Sequence, residues 1–496
     1  MVVKGFSAFG YEETICDVEV DLRRGIPAVD IVGLADSAVK NTRELVMSAI
    51  KKSHLNFPSE RVLISVSPAD LKKEYEFAFP IAMGIINAMT EDTSEFPENL
   101  IVHGELTADG HLFPTRGTYA ALMTARNNGV FYAIVPKGTL MSEIPNGMHV
   151  MTVETLEEAY LALPIVRSSV AYEQNTPKDT VEFPSFDDWE DMKDFDWSTV
   201  HPAMKRAMTI AAAGKLNMLV TGAPGCGKTL ALQRFPMLLP KLTEDEQISV
   251  KKIHSIAGLN GHDMSTTPFR MPHQTASIEG MCGGGVNCRP GEISLAHNGV
   301  LFLNEAAEFR SANLQMLRVP LENGNITLSR AGRSTVYPAN FQLLMATNPC
   351  PCGNYGSKDR ICLCSARSIE QYWKKFSVPL LDRVQIKVNM DKLEDTEDMT
   401  LEQMREKIAN AIAIQRKEGM YNRNLTTVEI DHIEKTTDKD AYDYMIDAAQ
   451  SNDFSVRTTT NIIRIAKTIA NMDNRTKINL TDMKEAVKLT MMKIMY

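Results

Sequence analysis

The sequence predicts an α/β chain in three parts: an N-terminal α/β domain, a parallel-sheet core and a helical C-terminal domain. Three observations carry this. Short apolar runs alternate with helix-length amphipathic stretches through the first 165 residues. A buried-strand pattern, Met218-Leu219-Val220-Thr221, runs straight into a glycine-rich loop at Gly222. After about Asp391 the apolar periodicity is helical almost to the end.

The chain of 496 residues exceeds one ordinary core, and at ~100–200 residues per domain it should hold two to four domains. Residues 1–165 form the first. Its strand candidates are Val18-Glu19-Val20, Val29 to Val32 and Val62 to Val66. Its clearest helix candidate runs from Ser37 to Ser53, with Val39, Leu45, Val46, Ala49 and Ile50 on one face. Residues 166–198, with Pro177 and Pro184, read as an acidic linker. The net charge of −9 disfavours nucleic acid at first sight. Nine acids against two lysines between residues 173 and 197 carry most of it, however, so the total decides neither for nor against such a partner. The core spans 199–390. It opens with a helix from Ala203 to Ala213 and has further strand candidates at Gly299–Asn304 and Phe341–Thr347. Residues 391–496 form the helical lid, broken near Glu418–Leu425. The N-terminal residues lack a basic region followed by an apolar run, and no run of ~18 apolar residues occurs, so a cytoplasmic protein is expected.

The loop Gly222-Ala223-Pro224-Gly225-Cys226-Gly227-Lys228-Thr229 fits G-x-x-x-x-G-K-[ST] between a strand and a helix. Its glycines let backbone N–H groups turn toward phosphates. Lys228 is suited to bridge the β and γ phosphates of ATP, and Thr229 to ligate Mg²⁺. An apolar strand, Val300 to Leu303, then ends in Asn304-Glu305. Glu305 is placed to polarise the attacking water. Asn304 stands where an Asp usually holds the Mg²⁺ shell, so binding should survive and hydrolysis should slow. Asn348, closing another strand, is a candidate for positioning water. Arg383 is a candidate arginine finger acting across a subunit boundary, and Arg457 a phosphate-reading arginine of the lid. Each arginine taken alone is better read as a surface ion pair, and their order and context in the chain reverse that weighting.

Four of the eight cysteines, Cys350, Cys352, Cys362 and Cys364, fall within fifteen residues. Two short knuckles can close a tetrahedral Zn²⁺ site, or the thiols can remain free. The stretch Glu322 to Val336 reads as a β-hairpin with Arg330 and Arg333 at its tip. It is either a phosphate-gripping element or a solvated turn.

The chain resembles the ComM/YifB family of AAA+ ATPases, relatives of the magnesium-chelatase motor subunit. The resemblance is carried by Val32-Gly33-Leu34-Ala35-Asp36-Ser37-Ala38-Val39-Lys40, by Ser67 to Glu74, by Arg289 to Leu303 and by Asn348-Pro349-Cys350-Pro351-Cys352-Gly353. It implies a hexameric ring with ATP between neighbours, DNA-dependent ATP hydrolysis, and helicase or branch-migration action on incoming DNA. It implies Arg383 acting in trans and Arg457 as the lid sensor. Asn304 and Tyr75 depart from its usual Asp and Gly. It also implies that the N-terminal domain has the Lon-protease fold. Phe77 and Tyr119 there replace the Ser nucleophile and Lys base, so no peptidase activity is expected.

Overall fold

The structure is a computed structural model that describes every residue except 35, 69–76, 174–183, 188, 190, 191, 260–265, 331–332, 357–359 and 492–496. Tyr75, much of the acidic linker and the two tip residues of the hairpin lie outside the described residues.

The N-terminal sheet is mixed and has seven strands. In spatial order they are Val29–Val32, Arg61–Ser67, Glu12–Arg23, Val2–Phe9, Asn99–Val102, Tyr132–Pro136 and His149–Val153. Side chains alternate across it with the pleat. Leu100, Val102 and Ile134 join one core with helices Asp36–Lys52 and Ala78–Met89, while Ile101, Ala133 and Val135 join another with helix Thr118–Asn127. Helix Ala78–Met89 is buried from Ala78 to Ile86, as an all-round apolar helix must be.

The second sheet has five strands in the order Phe269–Arg270, Val300–Leu303, Gln342–Thr347, Met218–Thr221 and Ile386–Asn389, and every neighbouring pair is parallel. Its central strands are apolar at nearly every position because both faces are covered. Met218, Val220, Phe302, Leu344 and Val388 face helix Pro202–Gly214 and the C-terminal helices. Leu219, Leu301, Leu303 and Met345 face the opposite core. This is the parallel-sheet core followed by a helical region that the sequence predicts. Helices Leu401–Glu418 and Val456–Met472 share their core with helix Pro202–Gly214. The buried Gln415 amide donates to the Ala213 carbonyl and so satisfies a carbonyl at the end of helix Pro202–Gly214, and the Gln342 amide donates to the Ala211 and Leu216 carbonyls.

The N-terminal part packs on helix Glu244–Ala257. Lys252 meets Glu13 at 2.5 Å with both side chains largely buried, and Gly117 N–H donates to the Ser255 carbonyl at 3.0 Å. The turn between the first two strands reaches the predicted hairpin, which is formed by Asn325–Arg330 and Arg333–Pro338. There Tyr11 N–H donates to Thr335 Oγ1 at 2.9 Å.

Candidate functional site

The glycine-rich loop leaves the carboxyl end of strand Met218–Thr221 and enters helix Lys228–Gln233. Gly225 and Gly227 have φ of 84° and 86°, the left-handed region that favours glycine, and this conformation lets successive N–H groups line a concave loop. A side chain at Gly222 would meet Cys226 Sγ and Met390 Cβ at 2.8 Å. Lys228 is buried. Its Nζ donates to the Gly222 and Ala223 carbonyls at 2.7 and 2.8 Å and to Asn348 Oδ1 at 3.3 Å. Thr229 Oγ1 donates to Asn304 Oδ1 at 2.7 Å. Parallel strands bring these groups together, since Asn304 and Asn348 follow the carboxyl ends of neighbouring strands. Ligands in open parallel sheets lie at that end.

Glu305 is exposed and holds a left-handed φ of 52°, an uncommon conformation for a non-glycine residue. The turn lifts its carboxylate out of the strand and into the open. Asp391, which no sequence motif singles out, accepts from Ala223 N–H at 3.1 Å and braces the loop from the far side. Its neighbour Lys392 borders a cleft of about 380 Å³ lined by Ala203, Ala207, Val388 and Leu489 together with the charged Arg206, Glu485 and Lys488.

Arg383 and Arg457 are not at this loop. Register matches Met218 with Ile386 and Thr221 with Asn389, so Arg383 precedes the amino end of its strand. At ~3.3 Å per residue it lies on the order of 20 Å from Gly222. Its Nη1 donates to the Pro379 carbonyl at 2.6 Å, and its Nη2 pairs with Glu322. Arg457, opening helix Val456–Met472, donates to the other Glu322 oxygen at 2.8 Å. The two arginines share a cleft of about 580 Å³ with Asp382, Asn461 and Arg464. Arg457, expected as a phosphate-reading arginine of the lid, is thus held beside Arg383 and away from the loop of its own chain. Both guanidinium groups belong to the face at the opposite end of the sheet.

The cysteine insertion packs directly on the glycine-rich loop. A side chain at Gly353, which has φ of 78°, would run into Pro224 Cδ at 2.5 Å. Sulfur separations are 3.4 Å for Cys350–Cys352, 3.7 Å for Cys350–Cys362 and 3.6 Å for Cys352–Cys362, and all four Sγ atoms, Cys364 included, lie within 4.8 Å of one another. Four sulfurs at ~2.3 Å from a tetrahedral Zn²⁺ would stand about 3.8 Å apart, so the donor set fits that ion. The Asn354 backbone N–H, with Cys350, draws the Cys352 thiol down to about 6, while its neighbours Cys362 and Cys364 are pushed up. Trp373 Nε1 donates to the Pro349 carbonyl at 3.0 Å and anchors the base of the insertion.

At the hairpin, Arg330 is exposed and stands opposite Arg333 in register. The Arg333 guanidinium lies 3.9 Å from the centroid of the Phe9 ring, so one face is covered by the N-terminal part. Of the two arginines, Arg330 is the open one. In the N-terminal sheet, Phe77 and Tyr119 are both buried, and the Phe77 ring fills the space above Gly5. Burial pushes the Tyr119 hydroxyl up to about 12. Among the described residues, no helix is long and apolar enough to cross a membrane.

The family model described as "Magnesium chelatase, subunit ChlI" matches residues 194–398. Models for "Subunit ChlI of Mg-chelatase" and for the ChlI C-terminal region match residues 18–139 and 398–490. Competence protein ComM of Haemophilus influenzae is 33% identical over 98% of this chain and 96% of its own length. Uncharacterized protein YifB of Escherichia coli is 31% identical over the same shares. An uncharacterized protein of Mycobacterium tuberculosis is 37% identical over 77% of this chain and 75% of its own length.

Proposed function

The chain belongs to the ComM/YifB family of magnesium-chelatase-like ATPases, and on that premise we propose that it is an ATP-hydrolysing ring motor, cytoplasmic and hexameric, that acts on DNA as a helicase or branch-migration machine. The carrying observation is the split site. Lys228, Thr229, Asn304 and Asn348 converge at one end of the sheet, while Arg383 and Arg457 lie at the other, joined by Glu322. Rotated copies of one chain bring those two faces together.

Residues Gly222 to Thr229 cradle the triphosphate, and the cleft beside Lys392, with apolar Ala203, Ala207, Val388 and Leu489 in its wall, takes the base. Thr229 and Asn304 would hold Mg²⁺, which would supply charge neutralisation at the phosphates. Glu305 draws the proton from the attacking water, Asn348 orients that water, and the neighbour's Arg383 and Arg457 meet the charge that develops on the phosphoryl oxygens. Cys350, Cys352, Cys362 and Cys364 would hold a structural Zn²⁺, which would brace the insertion that packs on the loop through Gly353.

The DNA reading is supported by the exposed Arg330 on its hairpin and by the name of the competence-protein relative. ATPase rate with and without single-stranded and forked DNA tests it. Several-fold stimulation is expected, together with a shallower salt slope of DNA binding in Arg330→Ala, by nearly one per lost phosphate contact. A second reading, remodelling of a protein partner, is favoured by the chelatase family models, and an ATPase indifferent to every DNA form would select it.

Asn304 leaves the cation one carboxylate short. Asn304→Asp is expected to raise turnover on the order of tenfold, equivalent to about 1.4 kcal/mol, with nucleotide affinity little changed. An unchanged rate would show that the amide does not throttle hydrolysis. Protein prepared without chelator is expected to carry about one zinc per chain, and Cys352→Ser with Cys362→Ser to lose it and unfold at a temperature lower by roughly 5 °C. Metal analysis finding no zinc would leave the four thiols free and the insertion held by packing alone.

A further inference from the structure

Arg383 is folded back. Its Nη1 is tied to the Pro379 carbonyl, its Nη2 to Glu322, and its buried Nε has no partner. The side chain is only 10% exposed. In that pose it cannot cross a subunit boundary, so the Glu322 contact must open first. The carboxylate end of the clamp is at the surface, with Glu322 49% and Arg457 41% exposed, where an ion pair is weak and exchangeable. We propose that Glu322 is an intramolecular stand-in for phosphate, holding Arg383 and Arg457 on their own subunit until a neighbouring copy presents the γ-phosphate of ATP, whose oxygens then displace the carboxylate. This rests on Arg383 acting in trans.

The chemistry of the exchange is balanced in kind. One ionised acceptor replaces another on the same guanidinium donors, and a terminal phosphate offers more charge and more acceptor oxygens than a carboxylate. The Arg383 guanidinium, with Arg457 beside it, pulls the Glu322 carboxyl below its usual range, so the clamp is charged at neutral pH. Glu322 closes helix Arg318–Asn323, and the chain turns at Gly324 into the hairpin carrying Arg330.

The test measures self-association of the full chain by sedimentation velocity, in a non-hydrolysable ATP analogue and in ADP, for wild type, Glu322→Ala, Glu322→Gln and Arg383→Ala/Arg457→Ala with and without Glu322→Ala. With the analogue, Glu322→Ala should associate at about tenfold lower protein concentration and Glu322→Gln should shift part of the way, because each removes the competing charge. With ADP, which presents no γ-phosphate, neither should move. The gain should vanish in the double-arginine background. An equal gain in both nucleotides would mean that Glu322 merely repels the neighbour, and weaker association would mean that it positions the arginines for use; either result overturns the clamp. If Arg383→Ala/Arg457→Ala keeps wild-type ATPase, the trans reading itself fails, whatever Glu322 does.

Discussion

Arg383→Ala is expected to lower ATP turnover on the order of 10³-fold while nucleotide affinity stays within about twofold. The separation of the two effects comes from geometry. The guanidinium lies at the amino end of the strands, with its Nη groups on Pro379 and Glu322, and touches nothing in the loop of its own chain. Removing it leaves Lys228, Thr229 and Asn304 in place to bind nucleotide. What is lost is charge stabilisation that arises only as the phosphoryl group transfers, and that loss appears in kcat rather than in affinity. Single-turnover hydrolysis beside a binding titration with a fluorescent ATP analogue measures both. A parallel fall in affinity would mean that Arg383 supports the fold of its own subunit.

Glu305→Gln is expected to slow hydrolysis on the order of 10²–10³-fold and to leave ATP binding intact. Glu305 is exposed, sits in a left-handed turn and does not pair with Lys228 or Thr229. The loop therefore keeps its geometry when the carboxylate becomes an amide. Gln can hold a water but takes its proton poorly. Such a chain should remain assembled in ATP, and its hydrolysis should stay slow at every ATP concentration. A variant hydrolysing at more than about a tenth of the normal rate would move the role of base away from Glu305.

Much of this was legible in sequence because the signals are local. Met218 to Thr221 is apolar at both parities since both faces of its sheet are covered, and the glycine loop follows within one residue. The cysteines announced themselves by spacing alone, and their sulfurs converge. What escaped depends on contacts distant in the chain. Glu322 is an acid on a short helix whose partners lie 61 and 135 residues away. Asp391 reaches Ala223 across 168 residues. Arg457 follows the right motifs in the right order, but order does not say at which end of a sheet a helix begins. Strand Val2–Phe9, central in the N-terminal sheet, hid its pattern because Gly5 and Ser7 occupy buried positions, the former making room for the Phe77 ring. Phe9 covering Arg333 is a contact of the same distant kind.

The most direct measurement mixes two variants that are each inactive. Lys228→Ala cannot hold ATP but keeps its arginines; Arg383→Ala holds ATP but has no finger to offer. If the site is completed across the boundary between copies, co-assembled subunits place an intact Arg383 against an intact loop at some interfaces, and ATPase activity should return on mixing to a sizeable fraction of wild type. If the mixture stays as inactive as its parts although the subunits demonstrably co-assemble, the catalytic site lies within one chain and is not shared between copies.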